Sequence, residues 1–548
     1  MAEGTAPARP QEARGVRERA KALLSVWTLA VTGLLAFALF LRLWGFRHGL
    51  PYIYNADEGA HFLPQAVRFY DGDYNPHYFR NPPAFTYLLH GAFRAAFPGT
   101  DVPQTYADDP GDVVPVARVV SALLGTLAVG LVYLLGARLF DRRVGLVAGA
   151  VLAVAFLPVF YSHLALNDVP ALVPLTLSLV GSAGILRWGR LRDYALAGVG
   201  LGLGTATKYT AGIALVSLLA AGGIRLAAPE ERRRVLGGLA LGGAAAIAAF
   251  LAVNPYALLD FDSFRDALAS QSRLSERHKL GLTEDSGFRF YLWTFTWGLG
   301  WLPAFAALAG AVWLAFRERL AALVLVPLPL LYLVYMASQE RLFGRWLLPA
   351  FPVVCVLAGY AAVRLADRLG ARIALPVIGA ALVLQGIVYS VHNDVVLTRP
   401  DTRTLTRAWM VENVPAGATI VLEPFVPVER WLDDRWKRNT RVGGVEGYAR
   451  GLRPELVEEY ARAGTCWVVT ASTVSGRAFA EPYRVPGAIA YYYELEQQGE
   501  VAYRTRPYPR RDRVPFNFDW SFDYYPLAYR RPGPEVAVYR LRDCVPVG

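Results

Sequence analysis

Charge is scarce in this sequence. Asp, Glu, Lys and Arg make up 18% of its 548 residues, while 54% are hydrophobic. A soluble chain of this size carries about 25% charged residues, so the deficit excludes an ordinary soluble protein and points to membrane spans. Lysine is scarcer still. Lys21, Lys208, Lys279 and Lys437 stand among 56 basic residues, and the rest are arginine. That bias, with abundant Ala, Gly and Pro, is the composition of a GC-rich bacterial genome and suggests a bacterial cell (inner) membrane. The formal net charge is +11, yet the arginines fall in short clusters between apolar runs. No single basic patch forms, so a nucleic-acid partner is excluded. Walker and dinucleotide fingerprints are missing from the inner loops, which argues against an energised cytoplasmic ATPase. Internal repeats are missing too.

Long apolar runs dominate what is present. A hydrocarbon core ~30 Å thick needs roughly 20 apolar helical residues. About eleven candidates occur, near residues 24–44, 114–137, 145–161, 169–187, 194–207, 210–224, 236–257, 290–315, 320–337, 346–363 and 373–391. The first is too long for a signal-peptide core and has no clear cleavage site, so it reads as a retained span. The polar, basic residues 1–22 before it read as a disordered cytoplasmic tail. Arginine gathers in alternate short loops ("ARLFDRRVG", "LRWGRLRD", "RLAAPEERRR", "FRERL", "VRLADRLGAR"), which the positive-inside rule places in the cytoplasm. Residues 23–391 then form a transmembrane domain. Two long polar segments lie outside, 46–112 and 392–548. All seven histidines fall on or near that side.

Residues 392–548 read as a small α/β domain. "DTRTLTRAWMVENVP" has helical spacing, "AIAYYYELEQQG" is a helix ended by glycine, and "ATIVLEPF", "CWVVTAS" and "EVAVYRL" are strand-like runs. "FNFDWSFDYYPLAYRRPGPE" is rich in aromatics and arginine, suiting either an interfacial or sugar-stacking surface or a loop packed on its own domain. Cysteine is rare. Cys355 lies in a span as an apolar filler, whereas Cys466 and Cys544 flank two predicted strands, where antiparallel pairing makes a disulfide possible.

Candidate chemistry collects at the outer face. "YIYNADEGAHF" sets Asp57 and Glu58 just before His61, close after the first span. Adjacent carboxylates raise each other's pKa, and one can then serve as a general base; the alternative is a helix cap at Asn55 or Asp57. "GDYNPHYFRNPP" adds His77 and Arg80, ahead of an amphipathic helix from about Pro83 to Phe97 that suits the membrane interface. "YSHLALNDVP" contributes His163 and Asp168, the latter also a candidate cap. Lys208 sits deep in apolar sequence, where an ionisable group is a functional hypothesis by default unless it snorkels. Arg341 and Arg345 enter the tenth span, suited to phosphate or to anchoring beside Trp346. Arg118, inside the second span, is either a further cation of the site or the partner of a carboxylate such as Asp57 or Asp168. No close His/Asp/Glu spacing defines a metal site, although a divalent cation would suit a phosphate.

These motifs, with "ARVVSALLGTLAVGLVYLLGARLFDRRVGLVAG", "GLGTATKYTAG", "NPYALLD" and "RWLLPAFP", occur in an order that resembles the protein O-mannosyltransferase-like branch of the GT-C membrane glycosyltransferases. That branch includes the lipid A aminoarabinose transferases. The resemblance covers most of residues 20–400. It implies a GT-C fold of about eleven spans and inverting transfer of a hexose or pentose from a polyprenyl-phosphate donor to a glycan, lipid or protein acceptor outside the cytoplasm. It implies Asp57 as general base, Glu58 beside it, and Lys208 and Arg345 as phosphate-binding cations with Arg80 behind them. His61 lies four residues after Asp57 rather than the three of the eukaryotic mannosyltransferases, and the outer domain lacks their repeat-type module. The competing readings are a flippase or transporter of lipid-linked sugars and a non-catalytic sugar-binding relative.

Overall fold

The computed structural model describes residues 26–439, 444–509, 514–518 and 526–545. The 1–22 tail lies outside them, as do residues 519–525 of the aromatic–arginine stretch. The molecule is mostly helical, and every one of the eleven apolar runs forms helix. Among the described residues, eight helical stretches have the length and composition of spans, from Val26–Leu43 through Pro110–Leu139 to the one that begins with Ala374–Leu397. The other three runs are shorter or broken. Arg142–Val154 and Phe156–Tyr161 are separated at Ala155, and Leu172–Trp188 and Leu191–Thr207 have 17 residues each. Most of their residues are buried, so neighbouring helices shield them where a lone span would need its full length.

Small residues bring these helices together. A Cβ on Gly198 would lie 2.1 Å from the Gly242 carbonyl oxygen, and one on Gly202 equally close to that of Ala246. Backbones this near can meet only across glycine, and small residues are the usual contact between helices in lipid. The helix Phe351–Leu369 runs through the centre and is buried without a break from Phe351 to Val363. Ala84–Ala96 packs against the bundle with Phe85, Leu89 and Phe93 turned inward.

Beyond Leu397 the chain enters an α/β unit. Helix Thr402–Asn413, capped by Asp401, precedes β1 (Thr419–Leu422), β2 (Lys437–Asn439), β3 (Trp467–Ala471), β4 (Gly499–Thr505) and β5 (Val536–Leu541). The sheet order is β2-β1-β3-β5-β4, with β1 parallel to β2 and β3, and β5 antiparallel to β3 and β4. β2 and β4 escape the strand pattern because one is three residues long and the other carries charged and exposed positions. The β3–β5 register brings Cys466 and Cys544 to a Cα separation of 5.4 Å, and they form a disulfide.

That bridge closes a loop of 78 residues. Cys466→Ala should lower the stability of the outer unit by about 2–5 kcal/mol. Thermal unfolding of wild type with and without reductant should show the same loss, and a variant that melts like oxidised wild type would contradict it.

Candidate functional site

The two adjacent acids have opposite fates. Glu58 is fully buried and grips Arg118 in two bonds, Nε–Oε1 2.8 Å and Nη2–Oε2 2.6 Å. Its Oε1 also accepts the Ala165 N–H at 2.8 Å. Arg118 spends its remaining Nη1 on the carbonyls of Phe46 (2.8 Å) and His48 (2.7 Å). The pair therefore joins the end of the first span, the first outer loop and the turn that carries Asp168.

Asp57 is 37% exposed at the side chain and pairs with Arg345, Nη2–Oδ2 2.5 Å. It makes no capping bond; Asn55 Oδ1 receives the Glu58 N–H instead. The expectation that the two acids raise each other's pKa is therefore corrected. Burial pushes the Asp57 carboxyl up, but Arg345, with His61 and Lys279, outweighs it and holds Asp57 below the usual carboxylate value. Each of the two carboxylates has a guanidinium of its own.

Lys208 follows the helix Leu191–Thr207 and reaches Asp168, Nζ–Oδ1 2.5 Å. Asp168 acts as an ion-pair partner, since the helix at Leu172 is entered through Ala171 with no side-chain cap. Asn167 Nδ2 donates to the Thr207 carbonyl and fixes this contact. Arg345 lies within the electrostatic reach of Asp168, and its guanidinium sits 5.9 Å from the Tyr161 ring and 5.4 Å from that of Phe343. Two cross-bundle ion pairs thus meet at the outer end of the helices.

Around them stand His61, stacked on Tyr78 at 4.8 Å, and Arg80, whose Nη2 donates to Ser270. Arg341 is half-buried and lies near Arg80, Arg345 and Asp57. Lys279, absent from the sequence-based site, joins this group. Burial, with Arg341 and Arg477 close by, lowers its pKa to about 8, against the pull of Glu446 and Asp57. Its signal in the sequence was rarity, as one of four lysines in a loop. Cations crowded together in this way favour an anion among them.

Two candidates lie elsewhere. His77 pairs with Asp73 at 2.9 Å on an exposed loop. His163 is buried between the Val159 and Trp44 carbonyls, 3.4 Å from Asp394. Among the described residues, no group of three or more His, Cys, Asp or Glu side chains is arranged to hold a metal ion.

The family model described as dolichyl-phosphate-mannose-protein mannosyltransferase matches residues 111–256. ArnT from Cupriavidus metallidurans bound to undecaprenyl phosphate superimposes with a TM-score of 0.56 at 13% identity, covering 93% of this chain and 98% of that one. The Archaeoglobus fulgidus oligosaccharyltransferase tethered with an acceptor peptide gives 0.56 at 13% identity, covering 91% and 75%. The Archaeoglobus fulgidus AglB in complex with an inhibitory peptide and a dolichol-phosphate gives 0.51 at 14%, covering 90% and 77%. No curated protein matches the sequence. The chain has the GT-C membrane fold.

Glu58→Gln or Arg118→Ala leaves one partner of a buried ion pair alone and should cost on the order of 3–5 kcal/mol. Asp57→Asn, at a half-exposed position, should melt within about 1 kcal/mol of wild type. Thermal denaturation of the three purified variants checks this, and equal losses would refute the division of roles. Lys279 generates a second expectation. Binding an anion restores its proton, so affinity for inorganic phosphate should fall as pH rises through about 8, and Lys279→Met should flatten that dependence in titrations from pH 7 to 9.5.

Proposed function

We propose that the protein is a membrane glycosyltransferase that moves a sugar from a polyprenyl-phosphate carrier to an acceptor outside the cytoplasm, with Asp57 as general base. The observation that carries this reading is the Asp57–Arg345 pair set beside Lys208–Asp168 at the outer mouth of the bundle. Two carboxylates, Asp57 and Asp168, and several cations meet there, at the end of helices long enough to hold a lipid carrier alongside.

The chemistry follows from those groups. An acceptor oxygen attacks the anomeric carbon from the face opposite the phosphate, and Asp57 takes its proton. The bond between the anomeric carbon and the phosphate oxygen breaks, and the polyprenyl phosphate leaves as an anion. Arg345 and Lys208, with Arg80, Arg341 and Lys279 around them, stabilise the growing negative charge. Inversion at the anomeric carbon is the consequence of a single displacement.

The ground-state pairing adds a coupling. A donor phosphate competes with Asp57 for the Arg345 fork. As Arg345 turns to the phosphate, Asp57 loses the contact that holds its pKa down and becomes a better proton acceptor. Donor binding thereby activates the base.

A transporter of the same lipid-linked sugar is the rival. It needs polar positions through the bundle, but the ion pairs fall in two layers. Arg118–Glu58, Lys208–Asp168 and Arg345–Asp57 form the outer layer, and Arg138–Asp193, Arg225–Glu231 and Arg364–Glu318 the other. Arg118 and Arg138 mark the two layers on one helix, ~30 Å apart at 1.5 Å per residue. The transferase reading accounts for an ion cluster confined to one end.

Asp57→Asn should keep carrier binding and reduce transfer by ~10²–10⁴. Lys208→Ala and Arg345→Ala should weaken carrier binding by no more than ~1.5–3 kcal/mol each, the worth of a charged hydrogen bond. The assay is purified protein with a panel of polyprenyl-phosphate sugars, scored for transfer or hydrolysis against translocation without cleavage. Full turnover in Asp57→Asn would end this mechanism.

A further inference from the structure

The end of the bundle away from Asp57 carries charge that the proposed reaction does not use. Helix Trp301–Arg317 stops there, Glu318 forms an elbow, and helix Arg319–Leu325 begins. Glu318 pins this elbow to the buried helix Phe351–Leu369. Its Oε1 accepts Arg364 Nη2 at 3.1 Å and the Tyr360 hydroxyl at 3.3 Å. A cavity of about 440 Å³ opens on the side of Arg364 and Arg368, and one of about 450 Å³ on the side of Arg187. Arg317 and Glu318 line both, so the two cavities adjoin across the elbow. Each has the volume of a small-molecule site.

The acids here are already engaged, and most of the cations are not. Asp367 pairs with Arg143 at 2.7 Å and Glu318 with Arg364. Among the described residues, Arg317, Arg319 and Arg368 have no carboxylate partner, and all three are exposed. Arg187 donates to the Leu139 carbonyl at the edge of the second cavity. Five arginines and two carboxylates line the two cavities, a surplus of three positive charges. The Arg368 guanidinium lies 3.9 Å over the Trp313 ring. Stacking fixes its plane and leaves its N–H edge for an oxygen anion.

Apolar surface adjoins this charge. Phe316, next to the elbow, is 74% exposed, and Leu320, Leu365 and Leu369 on the flanking helices are exposed as well. These helices belong to stretches with span composition, so the surface beside the cations is one that meets acyl chains. A soluble anion would engage only the guanidiniums; a phospholipid engages both. The arginine-rich loops "FRERL" and "VRLADRLGAR" lie at this end, which the positive-inside rule assigns to the cytoplasm. Basic pockets between spans on that side suit anionic lipid headgroups.

We propose that the two cavities hold the two phosphates of a diphosphatidyl lipid, a cardiolipin, from the cytoplasmic leaflet. Arg317 stands between the phosphates, Arg368 serves one and Arg187 with Arg319 the other. The acyl chains lie along Phe316, Leu320, Leu365 and Leu369. Two cavities that share a wall and a surplus of three charges fit a doubly charged headgroup better than a single phosphate. This site goes beyond the transferase reading and does not depend on it. A lipid bound there ties the elbow to the inner ends of three helices, and so stabilises the fold by mass action.

The test is native mass spectrometry and thermal melting of the full chain in detergent, titrated with cardiolipin, phosphatidylglycerol, phosphatidylethanolamine and inorganic pyrophosphate. Cardiolipin should stay bound, raise the melting temperature and bind about five-fold or more tighter than phosphatidylglycerol, the effect of one further phosphate. Phosphatidylethanolamine and pyrophosphate should leave the melting temperature unchanged. Arg317→Gln, Arg319→Gln and Arg368→Gln should each weaken cardiolipin binding about five-fold, the fold-change equivalent to ~1 kcal/mol per arginine near a membrane surface. The three together should weaken it about a hundred-fold. As a control, Arg232→Gln with Arg233→Gln and Arg234→Gln removes three exposed arginines that line neither cavity. That variant should bind cardiolipin within about two-fold of wild type, since water and salt screen exposed charges at a distance. An equal loss in the control would reveal a general surface field and overturn the site. Phosphatidylglycerol binding as tightly as cardiolipin, displacement by pyrophosphate, no cardiolipin binding, or unaffected cavity variants would each overturn it too. If the triple variant does not fold, the single variants and the lipid preference of the wild type decide.

Discussion

Everything at the outer face hangs on the Glu58–Arg118 ion pair. A lone charge buried where these two lie would be very costly, so neither is stable without the other. Together they use nearly all their hydrogen-bonding capacity on three separate segments: the carbonyls that follow the first span, the first outer loop, and the turn before Asp168. Such a pair adds little net stability compared with a well-packed apolar core. Its value is geometric. It fixes one residue of the acidic pair, and the adjacent residue is thereby aimed across the bundle at Arg345.

The site itself is built from opposed charges that neutralise each other at rest. Asp57 holds Arg345 and Asp168 holds Lys208, so no strong cation in the centre is left to collect stray anions. Lys279, Arg341 and Arg80 stand around these pairs. On the proposed function, a donor phosphate entering there has to exchange partners, which links its arrival to the state of Asp57.

Much of this was legible in the sequence, for identifiable reasons. Helices buried in apolar surroundings announce themselves by composition, so all eleven runs were found, and β1, β3 and β5 were visible as β-branched runs bounded by turn residues. β2 and β4 were not, because β2 is three residues long and β4 is polar along much of its length. Rarity made Lys208 conspicuous, and the same signal stood at Lys279 without being used, since a polar loop gives a lysine nothing unusual to explain. The partner of each charge was the hard part. Glu58 and Arg118 are 60 positions apart, Asp57 and Arg345 are 288 apart, and no local pattern records which acid meets which arginine. His77 and His163 were drawn in by the clustering of histidines on one side, yet side of the membrane is a coarser property than membership of a site.

The α/β unit is fixed to the same loop. Arg403, held by Asp401, lies 3.9 Å over the Tyr54 ring, the Tyr54 hydroxyl meets Thr404, and Arg430 donates to the Tyr106 and Ala107 carbonyls. The Cys466–Cys544 bridge ties the start of β3 to the end of β5 and holds the sheet behind these contacts. The turn from Asn55 to Ala60 is therefore held from two sides, by Glu58–Arg118 in the bundle and by the α/β unit through Tyr54. A loop clamped on both sides keeps Asp57 facing Arg345.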